Sequence, residues 1–478
     1  MNDKPLIKLF RTNNKYYMYD VNKNTILNIN RKQYNSLENY MKDNVDYYMY
    51  SEEITEFYKK GFLSSNRVND IDNPHNELVA SHLKSNIGMI ILQITQQCNF
   101  RCEYCVYSGN YLNRTHSNRR MDIFTAFKGI DFLINHSKNV NKIDIAFYGG
   151  EPLLEFDFIK KCIDYAEKKA EGKKVTFYIT TNGYLLTDEI VEFLYKHDVM
   201  LTISLDGPKE IHDSHRKLAL NNCGTFDKLI KNIMNIKKQF PQYINNILFN
   251  AVIDTQNNFS CIDKFFLDYE TVKDITLISG EISNNNRKSG LEINEDYYLK
   301  TGYELFRIFY SLIRKKNTKN YSRIVIEQYS QISKLSENLI PQKMLPKKAH
   351  PSGSCMPGTQ RLFMNVDGFF YPCERVSEAS ELMQIGHIDT GFDINKIMNL
   401  FNIGKVNADA CKNCWAIRLC SMCAGLLETD KSEFSKEKKE ECCQSIKTSL
   451  EEKFKDYCFL KEFGHSFDKN EEITVFNE

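Results

Sequence analysis

Three cysteines share one short stretch of this chain, Thr95-Gln96-Gln97-Cys98-Asn99-Phe100-Arg101-Cys102-Glu103-Tyr104-Cys105. Thiolates at C-x3-C-x2-C spacing on a single loop can hold three irons of a cubane 4Fe-4S cluster and leave the fourth iron without a protein ligand, open to chemistry. Zinc and disulfide readings compete. A lone C-x2-C would be zinc, iron or nothing with equal odds. Three cysteines at uneven spacing, with no histidine close by, fit a tetrahedral zinc site poorly, because that site wants a fourth ligand.

The apolar run Met89-Ile90-Ile91-Leu92-Gln93-Ile94 leads straight into this loop, and Tyr104 stands just before its third cysteine. Here the chain resembles the radical S-adenosylmethionine (SAM) enzymes, whose signature is C-x3-C-x-aromatic-C. The resemblance implies that Cys98, Cys102 and Cys105 hold a cluster whose free iron takes the amino and carboxylate groups of SAM, with Tyr104 against the adenine. It also implies that one-electron cleavage of SAM yields a 5'-deoxyadenosyl radical, which removes a hydrogen atom from an unreactive C-H bond. No side chain could do this alone.

The remaining sequence must position that loop. With 478 residues and 42% hydrophobic content, the chain has material for two or three domains. Lys plus Arg number 63 and Asp plus Glu 62, a formal charge of +1 that offers no long-range pull on nucleic acid or an anionic membrane. The start Met1-Asn2-Asp3-Lys4-Pro5 has no apolar signal core, and the run around Ile87 to Ile94 is too short to span a bilayer, so a cytoplasmic protein is expected. Fifteen cysteines in such a setting read as metal ligands rather than disulfides. Oxygen sensitivity follows, and the richness in Asn, Lys and Ile suits an anaerobe.

From about residue 87 to 285 short apolar runs alternate with amphipathic segments, the pattern of strand-helix units around a parallel sheet. Six strands are expected: Met89 to Thr95, Ile143 to Tyr148, Val175 to Thr180, Met200 to Leu205, Ile247 to Ile253 and Asp274 to Ser279. Asp122 and Thr187 read as helix N-caps, the latter followed by Asp188 and Glu189 at the positive helix end. Six units match the partial (β/α)6 TIM barrel of the resembled family, an α/β fold whose function sits at the C-terminal strand ends.

Those ends carry Gly149-Gly150-Glu151-Pro152, Thr180-Thr181-Asn182-Gly183 and Ser204-Leu205-Asp206-Gly207-Pro208. Taken alone each is a strand-to-helix turn. The resemblance implies that Gly149, Gly150 and Glu151 bind the SAM amino group and that Thr181, Asn182 and Ser204 line its ribose and methionine. It further implies that Arg216 pairs with its carboxylate while Asp206 takes or gives a proton during catalysis.

Beyond a polar stretch, Ser283 to Gly290, residues 286–345 read as a helical linker with Tyr298, Leu305, Phe309 and Leu312 on one face and Arg314-Lys315-Lys316 at its negative end. Residues 346–450 then hold Cys355, Gly368, Cys373, Cys411, Cys414, Cys420, Cys423, Cys442 and Cys443. The compact group from Cys411 to Cys423 could by itself be a zinc knuckle. With the upstream cysteines the pattern resembles the SPASM domain, which holds two auxiliary 4Fe-4S clusters, making three in all. The resemblance gives Cys355, Cys373 and Cys423 to the first and Cys411, Cys414, Cys420 with Cys442 or Cys443 to the second. Only Ser421 and Met422 separate Cys420 from Cys423, where the family usually has three residues, and no fourth protein ligand for the first auxiliary cluster is evident. Cys162, Cys223, Cys261 and Cys458 fall outside the motifs, and Cys162 reads as a small core hydrophobe. Residues 451–478 read as a C-terminal tail.

Residues 1–80 contain no cysteine and read as three short strands followed by helices around Arg31 to Met41 and Ser51 to Lys60, with Gly61 as a stop. In this company they resemble the winged-helix-like α+β peptide-recognition element of peptide maturases, which binds a leader peptide as an added strand. Tyr16, Tyr17, Tyr19, Tyr47, Tyr48 and Tyr50 would suit such a surface, or a core. The stretch Cys105 to Tyr111 with Arg114 and His116 resembles the maturases that install Cys thioethers. The combination implies a radical SAM oxidoreductase acting on a ribosomally made precursor peptide, reduced by a donor such as flavodoxin or ferredoxin. Two rivals remain open: an anaerobic sulfatase maturase making formylglycine, and a non-catalytic zinc-dependent peptide-binding protein.

Overall fold

A computed structural model describes residues 4–42, 52–112, 114–170, 172–315, 321–351, 353–428 and 433–467. Tyr47, Tyr48, Tyr50, Ser51 and Lys316 lie outside the described residues.

Three strands, β1 (Ile7–Arg11), β2 (Tyr16–Asp20) and β3 (Thr25–Ile29), form an antiparallel sheet followed by the helices Arg31–Lys42 and Glu52–Lys59. One face, with Ile7, Met18 and Ile29, packs under Leu37, Tyr40, Ile54 and Phe57 of those helices. The other face carries Phe10, Tyr17 and Tyr19, which pack on Leu450 and Phe454 of a 27-residue helix, Lys436–Glu462. Tyr17 and Tyr19 are therefore core residues here and not a presented aromatic surface: a distant helix supplies the apolar cover that the local sequence does not show. That helix also runs through residue 450 unbroken, so residues 451–462 are packed structure rather than tail.

The short strands β4 (Asp70–Ile71) and β11 (Lys348–Ala349) pair with each other. Between them lie β5 (Met89–Thr95), β6 (Lys142–Gly149), β7 (Lys174–Thr181), β8 (Met200–Ser204), β9 (Ile247–Ile253) and β10 (Thr276–Glu281), all parallel to their neighbours. This is the mostly parallel sheet of a partial barrel. Strand β5 is buried along nearly its whole length, as expected of a strand covered on both faces. The sixth strand begins two residues later than the sequence suggested, Asp274 and Ile275 belonging to the turn before it. Asp122 accepts from Phe124 N at 2.9 Å and Thr187 from Ile190 N at 3.4 Å, so both caps form. Cys162 is fully buried on the helix Phe156–Lys169.

The sheet continues past β5. Strand β12 (Leu362–Met364) pairs parallel with β5, and β13 (Phe369–Tyr371), β14 (Gly386–His387) and β15 (Gly391–Phe392) follow antiparallel, giving ten strands in one sheet. The cysteine-rich region is thus bonded to the strand that feeds the Cys98 loop. In the helix Glu295–Arg314 the buried residues are Tyr297, Thr301, Ile308, Phe309 and Ser311, while Tyr298 is 46% exposed and lies off the face assigned to it. Among the described residues no helix is long and apolar enough to cross a membrane.

Candidate active site

Strand β5 ends in the loop that brings Cys98, Cys102 and Cys105 together, close enough for their charges to interact. Phe100 N points at Cys98 Sγ (3.3 Å) and Tyr107 N at Cys105 Sγ (3.4 Å), so the backbone donates toward two of the sulfurs. Burial pushes all three thiols up, Cys102 to about 12. Such buried thiols ionise readily only with a cation among them.

The Gly149-Gly150 pair braces this loop from beside it. Gly150 N donates to Thr95 O and Glu151 N to Gln97 O, each at 2.9 Å. Any Cβ on either glycine would collide with the backbone of Thr95 or Gln97. The close approach that requires glycine is therefore to the cysteine loop. Glu151 is buried, and its carboxylate accepts from Thr181 Oγ1 (2.6 Å), Asn182 N (2.8 Å) and Leu153 N (3.0 Å), which ties the ends of β6 and β7 together. Burial still holds its pKa above the usual carboxylate value. Asn182 Nδ2 in turn donates to Asn99 Oδ1 at 2.8 Å, anchoring the cysteine loop to β7. Ser204 is half-buried at the end of β8.

Asp206 and Arg216 meet in the mouth. Arg216 donates from Nε to Asp206 Oδ2 (2.8 Å) and from Nη2 to Oδ1 (3.1 Å), Val252 N adds a bond to Oδ1 (3.0 Å), and the Tyr104 hydroxyl donates to Oδ2. Burial alone would raise the Asp206 pKa, but the guanidinium overrides it and holds the carboxyl below its ordinary range. The same guanidinium lies over the Tyr104 ring, 5.4 Å from its centroid, and within electrostatic reach of Cys102. Each is the other's partner here, because both are buried and an unpaired charge there is costly. Asp206→Asn is expected to leave Arg216 without its counter-charge and destabilise the fold by about 3 kcal/mol. Chemical denaturation of the full-length protein checks this, and the double variant Asp206→Asn, Arg216→Gln should lose less than the two single changes added together.

One residue escaped the sequence reading, and two that it named, Arg114 and His116, take definite places beside the cysteine loop. Arg287, just after β10, has its Nε and Nη1 buried without a hydrogen-bond partner while its backbone bridges Tyr111 of the cysteine-loop segment. Arg114 is buried, 2.9 Å from Glu378, and donates to Glu374 O (2.7 Å) and Val376 O (2.9 Å), fastening the cysteine loop to the segment after Cys373. His116 stacks on Tyr107 at 5.6 Å with both ring nitrogens buried and unpartnered. Nothing in the sequence pattern distinguishes Arg287 from the polar residues around it. A cleft of about 200 Å³ opens at the C-terminal ends of β9 and β10, lined among others by Asp254, Glu281, Ile282 and Tyr298.

The C-terminal cysteines form two groups. Cys355, Cys373 and Cys423 interact electrostatically with one another. Cys411, Cys414, Cys420 and Cys443 do the same. Cys442 is turned away, its Sγ 3.9 Å from Leu426 O. Lys439, one turn before Cys443 and buried, donates to Ile403 O (3.1 Å), Gly404 O (2.8 Å) and Cys411 Sγ (3.5 Å). Among the described residues no three cysteine sulfurs come within 4.8 Å of one another; the sole set of three ligand atoms that does is Asp164, Glu167 and His197. A single tetrahedral zinc with bonds of about 2.3 Å would need its sulfurs closer than that. A cubane, which spreads its ligands across four irons, would not.

A partial parallel barrel with three cysteines on the loop after its first strand carries them at the C-terminal strand ends, where such α/β barrels carry function. Residues 92–263 match the radical SAM superfamily. Over 398 residues the chain is 24% identical to the radical SAM cyclopropyl synthase TigE of Paramaledivibacter caminithermalis, covering 78% of this chain and 76% of that one. Over 348 residues it is 26% identical to a cysteine-type anaerobic sulfatase-maturating enzyme of Clostridium novyi, covering 70% and 87% respectively. Among solved structures, native anSMEcpe with bound AdoMet superposes with a TM-score of 0.58 at 21% identity, over 79% of this chain and 99% of that one. The chain is thus an enzyme with a radical SAM domain. That domain implies SAM and a 4Fe-4S cluster.

Proposed function

We propose that this chain is a radical SAM maturase of a ribosomally made peptide, holding its leader on residues 1–80 and linking a cysteine sulfur to a core-peptide carbon as a thioether. The observation that carries this reading is the pair of cysteine groups in the C-terminal region, attached by β12 to the same sheet as the Cys98 loop. By name, TigE is a radical SAM cyclopropyl synthase and the Clostridium novyi relative matures sulfatases.

Cys98, Cys102 and Cys105 would hold the SAM-binding cluster, and their convergence in a buried loop braced by Gly149 and Gly150 fits that role. When bound, SAM and its cluster supply one-electron chemistry that removes a hydrogen atom from an unreactive C-H bond. Tyr104, Thr181, Asn182 and Ser204 stand where SAM would lie, and Glu151 holds the ends of β6 and β7 in register for it. Asp206 and Arg216 position Tyr104 and place a positive charge beside Cys102. Arg287, with two donors unsatisfied, is suited to a carbonyl or carboxylate of the substrate. Cys355, Cys373 and Cys423, and separately Cys411, Cys414, Cys420 and Cys443, would hold two auxiliary clusters, able to accept the electron left when the thiol gives up its proton and the C-S bond closes. Both faces of the β1–β3 sheet are covered, so a leader would add at an edge strand, β1 or β3.

The sulfatase-maturase reading shares every one of these residues except the N-terminal sheet. A non-catalytic zinc protein does not fit a chain whose domain match and relatives are enzymes. The deciding experiment incubates the anaerobically reconstituted full-length enzyme with SAM, reductant and the short peptide encoded beside its gene, and in parallel with a cysteine-containing sulfatase peptide. Loss of two hydrogens and one free thiol from the first supports the proposal. Formylglycine in the second, with the first unchanged, sinks it.

A further inference from the structure

The helix Glu295–Arg314 buries Tyr297, Thr301, Ile308 and Phe309, yet its opposite side is apolar too. There Leu299 is 74% exposed, Tyr303 62%, Phe306 52% and Tyr310 49%. Steps of four, three and four residues set these side chains on one stripe along the helix. A second apolar stripe facing water is unusual for a helix whose first already serves the core, and contiguous bare apolar surface of this kind marks an interaction site. Gly302, exposed between Leu299 and Tyr303 with nothing near the place of a Cβ, leaves room for another backbone.

We propose that this stripe is a two-fold self-association surface, on which the helix Glu295–Arg314 packs antiparallel against the same helix of a second copy. Two features of the helix select that occupant. Its spacing reads the same in both directions: about an axis level with the Glu304–Leu305 bond, Leu299 meets Tyr310 of the second copy and Tyr303 meets Phe306, as self-complementary seams require. Its charge is complementary about the same axis, because Glu295 in the first turn then faces Arg314 in the last turn of the second copy, and the acidic start with Asp296 faces the basic end. Arg314 is already held toward the stripe, its guanidinium 5.5 Å from the Tyr310 ring centroid. The four side chains, at roughly 200 Å² each when fully bare, leave on the order of 500 Å² per copy. Across two copies that is about 1,000 Å², the size at which specific interfaces begin.

Analytical ultracentrifugation of the anaerobically prepared full-length protein at micromolar concentration tests this. A dimer is expected. Tyr303→Glu with Phe306→Glu should give a monomer whose circular dichroism is unchanged. Glu295→Arg alone should weaken association roughly five- to tenfold, and adding Arg314→Glu should restore it. A wild-type protein that sediments as a monomer overturns the proposal in favour of a foreign partner on the stripe. A charge exchange that associates no better than Glu295→Arg alone overturns the antiparallel register.

Discussion

Alanine in place of any one of Cys98, Cys102 or Cys105 is expected to reduce SAM cleavage to background, while the fold of the barrel survives. The reason lies in the number of ligands. Three protein sulfurs are the fewest that keep three irons in place while the fourth stays open, so each thiol is indispensable and none has a substitute nearby. The barrel itself rests on the buried strands β5 to β9 and on the helix caps, none of which uses these thiols. Measurement of 5'-deoxyadenosine formation, together with circular dichroism of each variant, checks both halves. Cleavage persisting in the triple alanine variant would remove the basis for placing the chemistry at this loop.

The second large effect concerns two adjacent residues with opposite fates. Cys443→Ala is expected to cost roughly a third of the iron and acid-labile sulfide of the reconstituted enzyme, whereas Cys442→Ala leaves both unchanged. Neighbouring positions on a helix point about 100° apart. Cys443 faces Cys411 and Cys414, and Cys442 turns toward Leu426. The buried Lys439, donating to Cys411 Sγ, favours charge on the same group of sulfurs. Equal iron loss in both variants would mean that the pair acts as one ligand set.

Much of this was legible in the residues. The apolar run of β5, broken only by Gln93 and followed closely by three cysteines, announced a buried strand and the loop it feeds, and Asp122 and Thr187 marked helix starts through local bonds that any sequence window contains. What stayed hidden depended on distant chain. The pairing of Asp206 with Arg216, and the hydroxyl of Tyr104 bonded to it, could not be read from spacing, because it exists only when strand ends close around a mouth. For Tyr17 and Tyr19 the sequence left surface and core both open, because the Phe454 ring that packs against the Tyr19 face lies more than four hundred residues away. The choice between Cys442 and Cys443 required knowing which side of a helix faces inward, and neither periodicity nor spacing states that for a helix whose apolar residues are so few. The continuation of the barrel sheet into β12 was equally invisible, since a three-residue strand leaves almost no pattern.

The helix Lys436–Glu462 has a mechanical consequence. Near its start it carries Lys439 and Cys443, and near its end Glu462 accepts from Thr12, Asn14 and Tyr17 while Phe454 sits under Phe10 and Tyr19. From Cys443 to Glu462 the rise is about 28 Å, so the helix acts as a ruler between the sulfur group and the N-terminal sheet. Removing a single residue between Cys443 and Phe454 would swing that ring about 100° out of its socket. The length of this rod therefore cannot drift without unseating one end, which makes its residue count as much a part of the machinery as any side chain it bears.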